Sequence, residues 1–308
     1  MRAASMFHVK HFRRRGHDDR SSHITETVGS GVGRIICIAN QKGGVGKTTT
    51  AVNLSAALAL AGQSTLLVDL DPQASATSGV GTVVGEGQPT TYEVLMGEVS
   101  AMDATIPTKV DHLSVLPATR DLIGAEIELV PLMAREHRLA ESMRKVRESY
   151  AFIVVDCPPS LGLLTINGLA AADSVLVPMQ CEYYALEGLS ALTETVELIH
   201  KRLNPGLEIE GLLLTMFDTR NSLSHQVADE VRRHFPGRVF ESIVPRNVRL
   251  SEAPSHGVPA VIYDPASKGA EAYLSLAREL LRKYDLPVGE PMQTVETPLQ
   301  STSEVGGE

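Results

Sequence analysis

The stretch from Arg34 to Gly62, RIICIANQKGGVGKTTTAVNLSAALALAG, decides the fold of this chain. Its opening residues form an almost continuous apolar run, which is typical of a strand buried on both faces of a parallel sheet. The part from Lys47 to Ala61 is rich in Ala and Leu and predicts a helix. Because a glycine-rich turn joins the strand to the helix, we expect a phosphate-binding loop at this point.

The residue types in the turn suit phosphate chemistry. Gly43, Gly44 and Gly46 allow backbone angles that other residues avoid, and they let the chain approach a phosphate closely. Lys47 offers a positive charge to the β- and γ-phosphates, and the Thr48 hydroxyl is placed to bind Mg²⁺. The candidate nucleotide-binding residues in this loop are Lys42, Gly43, Gly44, Val45, Gly46, Lys47, Thr48 and Thr49.

The loop departs from the strict phosphate-loop pattern in two ways. Gln41 stands where the first glycine is expected, and a second lysine, Lys42, lies inside the loop close to Lys47. Two ammonium groups a few ångströms apart repel each other unless an anion lies between them. The second lysine therefore indicates a role beyond holding the phosphates of its own loop.

The rest of the chain alternates between short apolar runs and helical patterns. This alternation predicts an α/β fold, with a mostly parallel twisted sheet flanked by helices on both faces and ligands at the carboxyl ends of the strands. The predicted strands are residues 34–40, 65–69, 113–117, 151–156, 174–179, 211–217 and 239–245.

Acidic residues lie at the ends of two of these strands. Asp69 and Asp71 follow the run TLLV, and Asp156 ends the run AFIVVD. A carboxylate at such a position can orient an attacking water or hold a water on Mg²⁺. The residues alone leave the division of roles between Asp69 and Asp71 open, and Asp156 is the candidate Mg²⁺ ligand together with Thr48.

Composition narrows the class of protein further. The chain has 308 residues and a net charge of −9. Its aromatic content of only 4% argues against a protein that binds single strands by stacking many bases. An apolar stretch long enough to cross a bilayer is absent from the sequence. Cys37, Cys157 and Cys181 are too few for a disulfide framework and fit a reducing compartment, so we expect a cytoplasmic protein.

The two ends of the chain differ from the middle. Residues 1–33 are basic, lack sustained apolar periodicity and contain no apolar signal segment, so we expect a disordered extension and no secretion. Residues 286–308 are acidic and rich in proline, and they predict a disordered tail. Residues 34–285 form the predicted folded domain.

Five separate runs carry a resemblance to a known family. KGGVGKTTT resembles the deviant Walker A loop of the ParA/MinD superfamily of P-loop ATPases. The other four runs resemble specifically its chromosomal ParA/Soj branch, and together the runs extend from Arg34 to Asp285. These runs are VDLDPQASATSGVG, VVDCPPSLGLLTINGL, LTMFDTRNSLS and IVPRNVRLSEAPSHGVP.

The resemblance implies residue roles that the residues alone do not give. Asp71 is the carboxylate implied in hydrolysis, with Lys42 and Lys47 as its catalytic partners, and Lys42 reaches the nucleotide of a second subunit. Pro245 and Asn247 lie against the adenine and its sugar. The guanine-reading pattern N-K-x-D is absent from the sequence, which favours ATP over GTP.

The resemblance also implies partners. Arg220 and Arg249, expected in loops beyond the last strands, belong to a basic surface that binds double-stranded DNA without reading its sequence. The implied assembly is a homodimer with ATP and Mg²⁺ between its subunits. A ParB-type centromere-binding protein stimulates slow hydrolysis, and the ATPase associates with the nucleoid to partition chromosomes or plasmids.

Three other functions remain open at this point. A MinD-like ATPase that binds membranes needs a basic amphipathic helix at the C-terminus, whereas this C-terminus is acidic and broken by proline. An iron–sulfur carrier of the same superfamily needs paired cysteines, and C-x-x-C is absent from this sequence. A metabolic ligase or synthetase needs a substrate pocket that the sequence does not identify.

Overall fold

The computed structural model describes residues 33–182 and 185–287. Apart from Gly33, Leu286 and Pro287, the predicted N- and C-terminal tails lie outside these residues. The described strands are β1 (Arg34–Ile38), β2 (Thr65–Asp69), β3 (Ile106–Pro107), β4 (Leu113–Leu116), β5 (Phe152–Asp156), β6 (Ser174–Gln180), β7 (Glu208–Phe217) and β8 (Val239–Pro245).

These strands form one sheet in the order β3-β4-β2-β5-β1-β6-β7-β8. Neighbouring strands run parallel except for β3 and β4, which are antiparallel. The mostly parallel sheet is the predicted one, and the predicted strands are present with ends that differ by a few residues. The two-residue strand β3 was not predicted, because so short an element carries no apolar pattern of its own.

Helices cover both faces of the sheet. The described α-helices are α1 (Lys47–Leu60), α2 (Ser75–Gly79), α3 (Thr91–Met96), α4 (Ala101–Ala104), α5 (Leu122–Glu128), α6 (Arg138–Val146), α7 (Leu163–Ala171), α8 (Ala185–Arg202), α9 (Ser222–His234), α10 (Val248–Glu252), α11 (Ala260–Tyr263) and α12 (Lys268–Lys283). A short 3-10 helix, Ala253–His256, follows α10. In the described ranges, no helix is both long and apolar enough to cross a membrane.

Two hydrophobic cores explain why the strands are apolar throughout. In β1, Ile35 and Cys37 belong to the core beneath α5 to α9, whereas Ile36 and Ile38 belong to the core beneath α1 and α12. Successive side chains of a strand point to opposite faces, so a strand covered on both sides needs apolar residues at every position. This burial fixes the carboxyl ends of the central strands at one edge of the sheet, where the functional residues meet.

Candidate functional site

The glycine-rich loop between β1 and α1 has the backbone conformation that its glycines predict. Gly44 and Gly46 adopt φ angles of +72° and +87°, in the left-handed region that favours glycine. Gln180 Nε2 donates to the Gly44 carbonyl at 2.9 Å, and Thr215 Oγ1 donates to the Val45 carbonyl at 2.8 Å. These bonds anchor the loop to β6 and β7. Among the described residues, no side chain caps the first turn of α1.

Lys47 lies inside the loop. Its Nζ donates to the carbonyl oxygen of Lys42 at 3.1 Å, and the residue is buried. Burial lowers the pKa of Lys47, and the nearby carboxylates of Asp156 and Asp71 oppose that shift. The ammonium group therefore lies in a pocket where phosphate oxygens would restore the solvation that burial removes.

Asp156 lies at the end of β5 and is completely buried. Both of its carboxylate oxygens lack a hydrogen-bond partner among the described residues. Burial, followed by the negative charge of Asp69, raises the pKa of Asp156 well above its usual range, while the nearby Thr48 hydroxyl opposes the rise. A buried carboxylate without a partner beside a threonine hydroxyl presents the oxygen ligands that Mg²⁺ prefers, so these residues fit the metal.

The structure separates the environments of Asp69 and Asp71. Asp69 is buried, and its carboxylate accepts hydrogen bonds from the Thr77 N–H and hydroxyl, each at 2.8 Å, and from the Asp71 N–H at 3.1 Å. Burial raises the pKa of Asp69 to about 6, and these bonds oppose the rise. The Asp71 carboxylate is less buried and accepts only from the Gln73 N–H at 2.9 Å within the described chain. Asp69 therefore orders the chain after β2, and Asp71 keeps free acceptor positions.

Lys42 extends away from the loop. Its Nζ lies 2.6 Å from Oε2 of Glu182, which follows the end of β6, and the two side chains are 42% and 46% exposed. The carboxylate of Glu182 therefore balances the charge of Lys42. Sequence reasoning missed Glu182, since the two residues are 140 positions apart and no motif links them.

A second missed residue holds the start of the loop in place. Asn40 is buried, and its Nδ2 donates to the Pro178 carbonyl at 2.7 Å while its Oδ1 accepts from the Lys42 N–H at 3.0 Å. An asparagine between an apolar strand and a glycine-rich loop was the available signal, because a polar residue at the end of a buried strand needs such partners.

A cavity of about 310 Å³ adjoins the loop on the side of β8. Pro245 and Asn247, expected to contact the adenine and its sugar, both line it, and Thr49 and Gly46 connect it to the loop. Asn247 Oδ1 also accepts from the Arg249 N–H at 2.9 Å and caps α10. The cavity is thus continuous with the phosphate loop and large enough to hold a nucleoside.

The two arginines expected to bind DNA occupy different settings. Arg220 lies in the loop after β7, as expected, and pairs with Asp218 at 3.1 Å. Arg249 was expected in a loop, but that expectation is wrong, because Asn247 starts a helix and places Arg249 in α10. The Arg249 guanidinium bridges Glu252 at 2.7 Å and Asp264 at 3.0 Å. Both arginines are exposed and paired within the chain.

The three cysteines are buried and free. The Sγ atoms of Cys37 and Cys157 lie 3.2 Å apart. The hydrogen bond between Cys157 and Cys37, together with burial, raises the pKa of Cys157 well above its usual range, so it stays a thiol. Within the described ranges, no three His, Cys, Asp or Glu residues gather into a potential metal site.

The chain combines a mostly parallel sheet, a glycine loop with a buried lysine and, within the described ranges, an unpartnered carboxylate on the neighbouring strand. Together these features define a P-loop nucleotide-binding protein. A family model described as an AAA domain matches residues 33–209. The chromosome partitioning protein ParA of Myxococcus xanthus is 58% identical over 252 residues, which cover 82% of this chain and 89% of that protein. The sporulation initiation inhibitor protein Soj of Bacillus subtilis is 56% identical, over 81% of this chain and 98% of the other.

Solved structures agree with this assignment of the fold. One is described as cobyrinic acid a,c-diamide synthase from Mycobacterium smegmatis with bound ADP and magnesium. It is 36% identical, covers 84% of this chain and 100% of its own, and superposes with a TM-score of 0.72. On the strength of the two relatives above half identity, the chain belongs to the ParA/Soj family of P-loop ATPases.

Proposed function

We propose that this protein is an ATP-dependent dimerising ATPase that binds DNA without sequence preference and drives chromosome or plasmid partitioning. One observation carries the proposal: the two lysines of a single loop point to different places. Lys47 folds back onto the loop beside Asp156, whereas the Lys42 ammonium lies at the surface. A surface lysine next to a nucleotide site is available to a triphosphate bound by a second copy of the chain.

The nucleotide would be ATP with Mg²⁺. The loop amides and Lys47 would hold the phosphates, and the cavity at Pro245 and Asn247 would take the adenosine. Thr48 and Asp156 would hold Mg²⁺, which neutralises charge on the phosphates. A solved relative is described with bound ADP and magnesium, and this supports an adenine nucleotide with magnesium here.

Asp71 would orient the attacking water. Its carboxylate keeps acceptor positions that Asp69 has already used for Thr77 and the Asp71 N–H. A carboxylate near the phosphate site can accept a hydrogen bond from a water molecule. The bond orients that water and favours its attack on the γ-phosphate. Hydrolysis would be slow on its own, and a ParB-type centromere-binding partner would accelerate it.

DNA binding would follow from dimer formation. Arg220 and Arg249 each contribute an exposed guanidinium, and a dimer doubles the number of phosphate contacts that it can make at once. The net charge of −9 does not oppose this, since it is a sum over the whole chain and the contacts are local. The protein would therefore associate with the nucleoid in its ATP state.

The packing of α12 argues against membrane binding by this helix. The apolar side chains of α12, among them Tyr273, Leu276 and Leu280, are buried against the rest of the domain. A helix whose apolar face is already covered has none to insert into a lipid headgroup layer. Co-sedimentation with anionic liposomes in the presence of ATP would contradict the proposal.

The test is DNA binding by the full chain with ATP, with ADP and without nucleotide. We expect a nonspecific duplex to bind only with ATP, with an affinity that falls steeply between 50 and 200 mM salt, by about 10³-fold for six phosphate contacts. Nucleotide-independent binding would contradict the proposal. ATP turnover that needs a small organic co-substrate and ignores DNA would indicate a synthetase instead.

A further inference from the structure

The ion pair between Lys42 and Glu182 is the feature that the proposed function leaves unexplained. Its two side chains are roughly half exposed, and the atoms Nζ and Oε2 lie 2.6 Å apart. An exposed pair of this kind is worth about 0–1 kcal/mol, so a stronger anion can displace it. The pair therefore holds the lysine in one place without holding it permanently.

Glu182 is fixed relative to the loop that it contacts. Its N–H donates to the Gln180 carbonyl at 3.0 Å, and the Gln180 side chain donates to Gly44 at 2.9 Å. The end of β6 is thus attached to the phosphate loop at two points, the Gly44 carbonyl and the Lys42 ammonium. Because the carboxylate is carried by an anchored segment, it holds the Lys42 ammonium beside the residues that follow β6.

We propose that Glu182 is a positioning residue for Lys42 that holds the ammonium on its own subunit until a triphosphate bound by a second copy displaces the carboxylate. The proposal rests on the ATP-dependent dimer proposed above and adds the residue that sets its threshold. Two such pairs open for each symmetric dimer that forms. The carboxylates thereby raise the protein concentration at which the ATP dimer assembles.

The test compares Glu182→Gln with the wild type by sedimentation equilibrium of the full chain, with Mg²⁺ and a non-hydrolysable ATP analogue. Glu197→Gln is the matched control, since Glu197 forms an exposed ion pair with Lys201 on α8 at 3.2 Å. We expect Glu182→Gln to lower the dimer dissociation constant about 2- to 30-fold, the range given by two exposed pairs. Glu197→Gln should leave the constant unchanged, and Glu182→Asp should keep it close to the wild-type value.

A second measurement reports on the lysine itself. In nucleotide-free protein, acylation of the Lys42 amine by an N-hydroxysuccinimide ester should be at least about twofold faster in Glu182→Gln, relative to Lys201 in the same sample. An unchanged ratio, or a dimer constant that stays the same or rises in Glu182→Gln, would overturn the proposal. A wild-type protein that stays monomeric with the analogue would overturn the proposed function itself, which is a distinguishable result.

Discussion

Asp69 and Asp156 are register partners at the carboxyl ends of β2 and β5, and both are completely buried, yet only the Asp69 carboxylate has hydrogen-bond partners among the described residues. One carboxylate is satisfied by its own chain, and its neighbour is free to bind a ligand. This contrast supports the assignment of Asp69 as a structural acid and of Asp156 as the proposed metal ligand.

Replacement of Asp156 by Asn should separate stability from function. The change removes a buried charge without a partner among the described residues, so we expect the nucleotide-free protein to melt at the wild-type temperature or higher, by about 2–4 °C for each 1 kcal/mol relieved. Stabilisation by MgATP should disappear, which differential scanning fluorimetry with and without MgATP would show. A variant that melts lower without nucleotide and still responds to Mg²⁺ would contradict the assignment.

Asn247 should contribute to nucleotide affinity and to the fold through different atoms. Asn247 lines the cavity, and Asn247→Asp keeps the oxygen that caps α10 but loses the amide N–H donors of the side chain. We expect a melting temperature near the wild type and ATP binding weakened by about tenfold, the value of one hydrogen bond to a ligand. Asn247→Ala should lose both properties. If Asn247→Asp bound ATP as tightly as the wild type in titration calorimetry, the role of Asn247 in nucleotide binding would be ruled out.

Arg249 should bind DNA in competition with its own acidic neighbours. Arg249→Ala should weaken ATP-dependent duplex binding and lower the salt slope by about 0.9 for each phosphate that the variant no longer neutralises. Asp264→Asn should strengthen binding, because it releases a guanidinium held at 3.0 Å. Arg144→Ala on α6, which packs on α3, α4 and α7, is the control. Equal affinities for all four proteins in a fluorescence anisotropy titration would remove Arg249 from the interface.

Glu210 on β7 should make stability depend on acid pH. Burial alone would raise the pKa of Glu210, but hydrogen bonds from Lys283, Ser174 and Tyr284 outweigh it and hold the pKa below its usual value. Folding therefore favours the ionised carboxylate. Its contribution to the free energy of unfolding is present above the unfolded pKa near 4.5 and is lost as the pH falls below that value.

Glu210→Gln should destabilise the protein by about 2–3 kcal/mol at pH 7, since it breaks a buried pair whose lysine is partly exposed. Urea denaturation at pH 7 and at pH 3.5 should show the gap between wild type and variant shrinking at the lower pH. The exposed control Glu197→Gln should change stability by less than about 0.5 kcal/mol at either pH. A gap that grew in acid would contradict the sign of the effect.

The fold was predictable because the strands are buried on both faces. The run from Ile35 to Ile38 must be apolar at every position to fill two cores, and this leaves a plain signal in the sequence. The phosphate loop was predictable for a similar reason, since the glycines at positions 44 and 46 take φ angles that other residues avoid.

The remaining site details depend on distances that no local pattern encodes. Glu182 meets Lys42 only after β6 is placed beside β1, and the helix around Arg249 depends on the single capping residue Asn247. The different surroundings of Asp69 and Asp71 follow from the hydrogen bonds of Thr77, which lies on the next helix. Such contacts emerge from tertiary packing, so the sequence could only leave them open.

The central claim is that Lys42 neutralises a triphosphate held by a second copy of the chain. Sedimentation equilibrium of the wild type and of Lys42→Ala, each with ADP and with a non-hydrolysable ATP analogue in Mg²⁺, tests it most directly. The account predicts a dimer for the wild type with the ATP analogue alone, and a monomer for Lys42→Ala with either nucleotide. A Lys42→Ala protein that binds the analogue and dimerises as tightly as the wild type would contradict it.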